Sequence, residues 1–225
     1  MEIIFIIAVL IFSIVIHEVA HASVANSLGD PTARQAGRLT LNPIKHLDLM
    51  GSLIVPLFLV IMRAPFLFGW AKPVPINPYN FTDQKYGQLK VSLAGPSANF
   101  LVAVFFGVIA RFLPLATGIK ESISHQFLSP SVPMIEVGFW GLIFQLFFFI
   151  IFINILLAIF NLLPMPPLDG SHVLFTFFPV LEQKMISFYA KTGFIGFFII
   201  IFLIFQLAPF IFPLVRGLSE LIAGV

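Results

Sequence analysis

The chain has 225 residues, of which 59% are hydrophobic and only 10% are charged, and its formal net charge at pH 7 is +2. Soluble domains carry roughly 25% charged residues, so this composition predicts an integral membrane protein. A small net charge spread among loops excludes a nucleic-acid-binding surface, and the absence of cysteine excludes disulfides, thiolate metal sites and cysteine nucleophiles.

The first apolar stretch runs from residue 3 to about residue 24, long enough to cross the roughly 30 Å hydrocarbon core of a bilayer as a helix. Near its end lies the pattern H-E-x-x-H, formed by His17, Glu18 and His21. Positions i and i+4 share one face of a helix, so both imidazoles can bind one metal ion with Glu18 beside them. A catalytic zinc ion takes three protein ligands and a water molecule, whose proton a nearby carboxylate accepts. Each ionisable group inside a membrane costs about 2.5–3.5 kcal/mol, so these side chains indicate a functional site.

From residue 26 to residue 90 the composition changes to a mixture of polar residues, glycine and proline. Turn signals such as Asn42-Pro43 and short alternating pieces such as 38–41 predict turns and short strands, and hence a small β element. Within this region, residues 51–70 are apolar but are interrupted by prolines and an arginine. Such a stretch favours a re-entrant or interfacial hairpin over a full membrane crossing.

Three further apolar stretches predict membrane-spanning helices over about 89–113, 138–163 and 193–215. The middle one is followed by residues 164–170, where three prolines forbid a regular helix. Irregular backbone at membrane depth is tolerated only where it is buried in protein or lines a wet cavity. The sequence therefore predicts an all-α polytopic membrane protein, one domain over 1–225, with about four full transmembrane helices, the hairpin and the small β element.

The basic residues are distributed unevenly among the predicted loops. Seven lie in 26–90 and two in 164–192, nine in all, and three lie elsewhere; since loops rich in Lys and Arg face the cytoplasm, the N-terminus is expected outside. If 51–70 does not cross the membrane, Asp169 emerges at the same face as the two histidines, whereas a full crossing would separate them. The nine are Arg34, Arg38, Lys45, Arg63, Lys72, Lys85, Lys90, Lys184 and Lys191, and the three are Arg111, Lys120 and Arg216.

Asp169 is therefore the candidate third metal ligand. It is an acidic residue in a proline-bounded, unwound segment at a depth that matches the histidines, and Gly170 after it lets the backbone approach closely. Taken alone, an Asp after a helix is more often a cap or turn residue. Its pairing with two buried histidines is what favours the ligand interpretation.

Three motifs occur in a fixed order: H-E-V-A-H at 17–21, A-G-P-S-A-N at 94–99 and N-L-L-P-M-P-P-L-D-G at 161–170. Together they resemble the three signatures of the site-2 protease family of intramembrane zinc metalloproteases. The matching segments extend over most of residues 1–175. The resemblance implies that His17, His21 and Asp169 bind one zinc ion, without a small-molecule cofactor, and that Glu18 is the general base and then the proton donor to the leaving amine.

The resemblance also implies how a substrate is held. Asn161 would help hold the substrate backbone near the metal, and the 26–90 region would supply strands that pair with an unwound transmembrane substrate. The runs 40–43 and 69–75 resemble compact bacterial and archaeal members without PDZ or CBS domains. The implied activity is regulated intramembrane proteolysis of a membrane protein, in the prokaryotic cell membrane, with the active site toward the cytoplasmic face.

Other histidines have simpler interpretations. His46 is expected to pack the hairpin, and His125 is expected to be solvated in the predicted outer loop without an acidic partner. His172, three residues after Asp169, is close in sequence to a ligand set that is already complete.

Two other classes of function remain open from the residues. A metal transporter would also place His and Asp inside the membrane, but it predicts polar residues along several helices and an internal inverted repeat, neither of which is visible. A catalytically inactive membrane scaffold would not need a base at Glu18.

Overall fold

The structure is a computed structural model that describes residues 3–54, 58, 61–62, 72–128 and 138–225. The chain divides into two compact units, a first unit Met1–Gly95 and a second unit Pro96–Val225. The α-helices of the described residues are α1 (Ile3–Ser27), α2 (Thr32–Gln35), α3 (Gly87–Arg111), α4 (Thr117–Leu128), α5 (Phe139–Asn161), α6 (Asp169–Phe177), α7 (Pro179–Thr192) and α8 (Phe194–Ala223). Helix α3 runs through the boundary between the two units.

Among the described residues, four helices are long and apolar enough to cross a membrane: most of α1, all of α3 and α5, and the last part of α8. The predicted number of spans is therefore confirmed. The predicted fourth span, 193–215, falls within α8, and Gln206–Ala223 is the candidate span among the side chains of α8 that the structure describes. Helix α8 begins after Gly193, whose φ of 55° ends α7, and its 30 residues give it a length of about 45 Å.

The first unit folds its polar loops against the carboxyl-terminal half of α1. Ala22 packs with Ala33 and Val74, and a second small cluster joins Ala25 to Phe81 and to Val91 of α3. These clusters fix residues 72–91 beside the part of α1 that carries the histidines.

The prediction of a small β element in 26–90 is wrong for the described residues, which contain no strand. Prolines lack the N–H that a strand ladder needs. In this region, asparagine side chains accept hydrogen bonds from backbone N–H groups that would otherwise pair with a neighbouring strand. Asn42 Oδ1 accepts from the Ile44 N–H at 3.1 Å and begins a 3₁₀ turn, Pro43–His46. Asn77 Oδ1 accepts from the Tyr79 N–H at 3.2 Å in the same way.

The predicted hairpin over 51–70 lies mostly outside the described residues. Its start is described as a π-helical turn, Leu49–Ile54, in which the Asp48 carboxylate accepts from the Gly51 N–H at 2.7 Å. Whether this segment enters the membrane therefore stays a prediction.

The second unit is built around a phenylalanine-rich helix, α5. Phe144, Phe148 and Ile151 have no more than a trace of exposed surface and pack with residues of α3, α4 and α8. Helices in a membrane associate through close packing and hydrogen bonds, because lipid tails are as apolar as the side chains. The Phe-rich run is thus packing surface.

Basic side chains close the carboxyl ends of two helices in the second unit. The Lys120 ammonium donates to the Ala110 and Arg111 carbonyls at 3.0 and 2.9 Å, at the end of α3. Arg111 Nε donates to the Ile222 carbonyl at 3.0 Å, near the end of α8. Burial of the Lys120 ammonium, and next the nearby charge of Arg111, hold its pKa below the ordinary value for lysine. The carboxyl ends of α3 and α8 therefore lie at the same end of this unit.

Candidate active site

Helix α1 positions the histidine pair inside an apolar span. Its 25 residues contain neither glycine nor proline, so nothing interrupts the helix around the H-E-x-x-H pattern. His17 and His21 are each only 7% exposed, and Glu18 is half-buried beside them. The sequence-predicted pair thus shares one helix face, as the i, i+4 spacing requires.

The two imidazoles converge on one point. Their Nε2 atoms are 3.0 Å apart, and the rings meet edge-on with centroids 4.6 Å apart. Two nitrogens that each bind a tetrahedral zinc ion at 2.0–2.1 Å are separated by about 3.3 Å. The pair as it stands therefore fits two ligands of one metal ion.

The tautomer of His21 is set by the backbone of α3. His21 Nδ1 lies 2.7 Å from the Val91 carbonyl oxygen, which can only accept, so Nδ1 carries the proton. In the neutral ring Nε2 then presents its lone pair toward His17. A carbonyl that holds the distal nitrogen of a histidine in this way is the usual support of a metal ligand.

Gly95 of α3 leaves the space that the two rings occupy. A Cβ at this position would lie 2.6 Å from Cε1 and Nε2 of His17 and would also collide with His21 Nε2. No residue other than glycine fits there without moving the histidines. The motif at 94–99 therefore contributes the wall of the site, beyond the close helix approach that small residues allow.

Glu18 is held by a segment with a single available N–H donor. Pro73 and Pro75 have no backbone N–H, and the one N–H between them, that of Val74, donates to Glu18 Oε2 at 2.9 Å. The carboxylate of the predicted base is thus oriented by residue 74, which lies 56 positions away in the chain.

Asp30 anchors the same segment from its other end. Its carboxylate is fully buried and accepts from the Asn77 N–H at 2.7 Å, from Asn80 Nδ2 at 2.8 Å and from the Thr32 hydroxyl at 2.5 Å. Burial raises the pKa of Asp30, but the hydrogen bonds from Thr32, Asn77 and Asn80 outweigh it and hold the pKa below its ordinary value. Asp30 thereby fixes residues 77–80, next to the segment on Glu18.

The second unit carries the other two predicted site residues. Asn161 is the last residue of α5, and its Nδ2 donates to the Leu157 carbonyl at 2.9 Å. Residues 162–168 are irregular, as predicted, and include a cis peptide between Pro166 and Pro167. Asp169 was expected to lie in this irregular segment, but it lies just after the segment ends. It is the first residue of α6, where the helix dipole favours a carboxylate.

Gly170 is required by the turn that precedes α6. A Cβ at residue 170 would collide with the carbonyl groups of Leu162 and Leu163. Ser171 closes the turn because its hydroxyl donates to the Leu168 carbonyl at 2.7 Å. The expectation that Gly170 permits a close backbone approach is met within this segment.

The remaining predicted residues have structural contacts. His46 is buried, with Nε2 2.8 Å from the Thr40 carbonyl oxygen, and His172 stacks edge-on with Phe175. His125 is exposed, but its Nδ1 lies 2.8 Å from Arg216 Nη2.

Sequence reasoning missed Val74, Val91 and Asp30. The first two act through backbone atoms, so their side chains carry no signal of the role. The one available signal was the Pro-Val-Pro run, which leaves a single N–H to be used.

Comparison with known proteins adds an independent observation. Residues 79–205 match the family described as Peptidase family M50. This match begins after the H-E-x-x-H pattern, so the family match and the histidine pair are separate evidence.

Three relatives carry zinc metalloprotease names. The chain is 36% identical over 196 residues to "Putative zinc metalloprotease YwhC" of Bacillus subtilis, which covers 87% of this chain and 79% of that protein. It is 30% identical over 167 residues to "Putative zinc metalloprotease Rip2" of Mycolicibacterium smegmatis, covering 74% of this chain and 54% of that protein. It is 28% identical over 209 residues to the protein of the same name in Mycobacterium tuberculosis, covering 93% of this chain and 70% of that protein.

No solved structure matches the chain. The family match over residues 79–205 and the 36% identity to YwhC are nevertheless sufficient to assign the family. The chain belongs to peptidase family M50, the site-2 protease family of zinc metalloproteases.

Proposed function

We propose that the chain is an intramembrane zinc metalloendopeptidase that hydrolyses a peptide bond in or near a transmembrane segment of a membrane protein. One observation carries the proposal: two imidazole nitrogens converge at 3.0 Å inside an apolar helix, with a carboxylate as the next residue. The names of the relatives support zinc as the metal and a protease as the activity.

His17, His21 and Asp169 are proposed to hold one zinc ion. Two imidazole nitrogens and a carboxylate oxygen form a donor set that suits zinc. A set of three protein ligands is typical of catalytic zinc sites, whereas structural zinc sites use four.

Glu18 is proposed as the general base. A bound zinc ion supplies Lewis-acid chemistry, since it polarises a carbonyl and lowers the pKa of a water molecule. Glu18 would accept a proton from the attacking water as the water oxygen bonds to the scissile carbonyl carbon, and would then give that proton to the leaving amine nitrogen as the C–N bond breaks. The Val74 N–H on Oε2 keeps the carboxylate in one orientation for both transfers.

Asn161 is proposed to hold the substrate backbone. A transmembrane helix shields its carbonyls in i→i+4 hydrogen bonds, so the substrate must unwind locally before attack. The peptide groups freed by unwinding need partners inside the membrane. A carboxamide offers both a donor and an acceptor for them.

The orientation is proposed as N-terminus outside and active site toward the cytoplasmic face of the cell membrane. Nine of the twelve basic residues lie in the two regions that this topology places inside. The other three have local structural roles: Lys120 and Arg111 close helix ends, and Arg216 forms an ion pair with Glu220 at 3.0 Å.

The test compares wild type with Glu18→Gln in detergent, measuring zinc per chain and cleavage of a synthetic transmembrane substrate. We expect about one zinc ion in both proteins and a loss of cleavage of about 10²–10⁴-fold in Glu18→Gln. Wild-type protein without zinc, or equal cleavage by the two proteins, would contradict the proposal.

A further inference from the structure

The first unit contains a basic cavity of about 450 Å³. No Asp or Glu lines it in the part of the chain that the structure describes. Such a lining attracts an anionic group and repels a cationic one. The residues that matter here are the cations Arg38, Lys45 and Lys72 and the apolar Ile44, Pro73 and Pro75.

Arg38 is the buried member of this lining. It is only 7% exposed, and its Nη2 donates to the Lys72 carbonyl at 2.6 Å and more weakly to the Pro73 carbonyl at 3.4 Å. Its buried Nε has no hydrogen-bond partner among the described residues. Carbonyl groups do not neutralise a guanidinium, so the cavity retains a desolvated positive charge that an anion would stabilise.

The basic cavity adjoins the proposed catalytic base. Pro73 and Pro75 line it, and Val74 between them donates its N–H to Glu18 at 2.9 Å. Neighbouring Cα atoms are 3.8 Å apart, so the wall of the cavity lies about one residue from the Glu18 contact. An extended peptide advances about 3.3 Å per residue. A substrate side chain in the cavity therefore belongs to a residue within about three positions of the scissile bond.

We propose that the basic cavity selects substrates that carry an Asp or Glu side chain within about three residues of the scissile bond. The inference rests on the proposed protease function and orientation. Cytoplasmic loops that flank transmembrane helices carry an excess of Lys and Arg, and the basic cavity repels these side chains. Selection thus combines attraction of a carboxylate with rejection of the commonest flanking charge.

The experiment uses three synthetic transmembrane substrates that differ only at one position near the cleavage point, with Asp, Asn or Lys, scanned over three residues on either side. At the responsive position we expect kcat/KM to be about tenfold higher for Asp than for Asn, and lower still for Lys. The preference should weaken as salt is raised, because exposed charges are screened. Equal kcat/KM values for all three substrates at every position would overturn the inference.

Charge reversal separates this role from a structural one. Lys72 has an exposed side chain, and Lys72→Glu lowers the charge of the lining from +3 to +1, so the preference for the Asp substrate over the Lys substrate should shrink several-fold. The matched control is Lys85→Glu, an equal charge change at an exposed lysine of the same unit outside the cavity, which should leave the preference unchanged. An identical shift in both variants would also overturn the inference.

Binding to the Glu18→Gln variant decides the inference without catalysis. The dissociation constants of the labelled substrates should follow the same order, with Asp bound most tightly. Asp-selective binding without cleavage by wild type would contradict the protease function and uphold the cavity, whereas cleavage with equal dissociation constants and equal kcat/KM would do the reverse.

Discussion

Each unit of the molecule buries a pair of polar side chains in apolar helices, and the two pairs are satisfied differently. In the second unit, Asn99 Nδ2 of α3 donates to Asn154 Oδ1 of α5 at 2.8 Å, so a donor meets an acceptor. In the first unit, the Nε2 atoms of His17 and His21 face each other at 3.0 Å, while His21 Nδ1 donates to the Val91 carbonyl. The asparagines pair a donor with an acceptor, whereas the histidines turn two ring nitrogens toward one point, as two ligands of the proposed metal ion would.

The largest effect is expected on zinc content when one histidine of the first unit's pair is replaced. His21→Ala removes one proposed ligand, so zinc binding and cleavage should both be lost. His125→Ala, which removes an exposed imidazole in the second unit, should keep both. Zinc is counted per chain by elemental mass spectrometry on purified protein. A full complement of zinc in His21→Ala would place the metal elsewhere.

Gly95→Ala tests the wall of the histidine site. Its Cβ collides with both imidazoles, so we expect reduced zinc binding and a free energy of unfolding lowered by about 1–3 kcal/mol, as for overpacking. Gly118→Ala is the matched control, since it lies in α4 with nothing within 4 Å of the new Cβ. Both quantities are measured on the two variants side by side. If Gly95→Ala and Gly118→Ala behave alike, the close contact is unimportant.

Asp30→Asn tests the anchor of residues 77–80 through its pH dependence. A carboxylate whose folded-state pKa is depressed contributes stability above its ordinary pKa of 3.8, and that stability is lost as the pH falls through the lower folded-state value. The variant should be about 1–3 kcal/mol less stable at neutral pH, because an amide cannot accept all the hydrogen bonds. Unfolding is followed from pH 7 to pH 3, and the two proteins should converge at the acid end. A difference that is constant with pH would exclude the carboxylate charge as its source.

Asn154→Leu should give the smallest effect and no change in metal. Loss of one interhelical hydrogen bond in a membrane protein costs about 0.6 kcal/mol on average. The double variant Asn99→Leu/Asn154→Leu should recover part of the loss, since it removes both amides from the contact between the helices. Stability is measured by unfolding in mixed micelles, with zinc counted in parallel. Loss of zinc from either variant would mean that the asparagine pair also supports the metal site.

The sequence was sufficient for features that repeat along one helix. Helix α1 and its histidine pair follow from the apolar stretch and the i, i+4 spacing. The start of α6 at Asp169 also had a local signal, because carboxylates favour the first turn of a helix. The three prolines just before Asp169 favoured an irregular segment instead, and the prediction followed the prolines.

Contacts between distant residues could not be derived from the sequence. Val91 lies 70 positions from His21 and Val74 lies 56 from Glu18, and both act through backbone atoms that every residue type offers. The β element was predicted from short alternation, but Asn42 and Asn77 satisfy the backbone locally, so no partner strand is needed.

The Pro-Val-Pro run gives the protein its own spectroscopic reporter. An amide ¹⁵N–¹H spectrum has no signal from Pro73 or Pro75, so residues 73–75 contribute one peak, that of Val74. Because this N–H donates to Glu18 Oε2, its chemical shift follows the charge and position of that carboxylate. Valine-selective labelling, with Val74→Ala to assign the peak, would therefore report on the proposed catalytic base when metal or substrate is added.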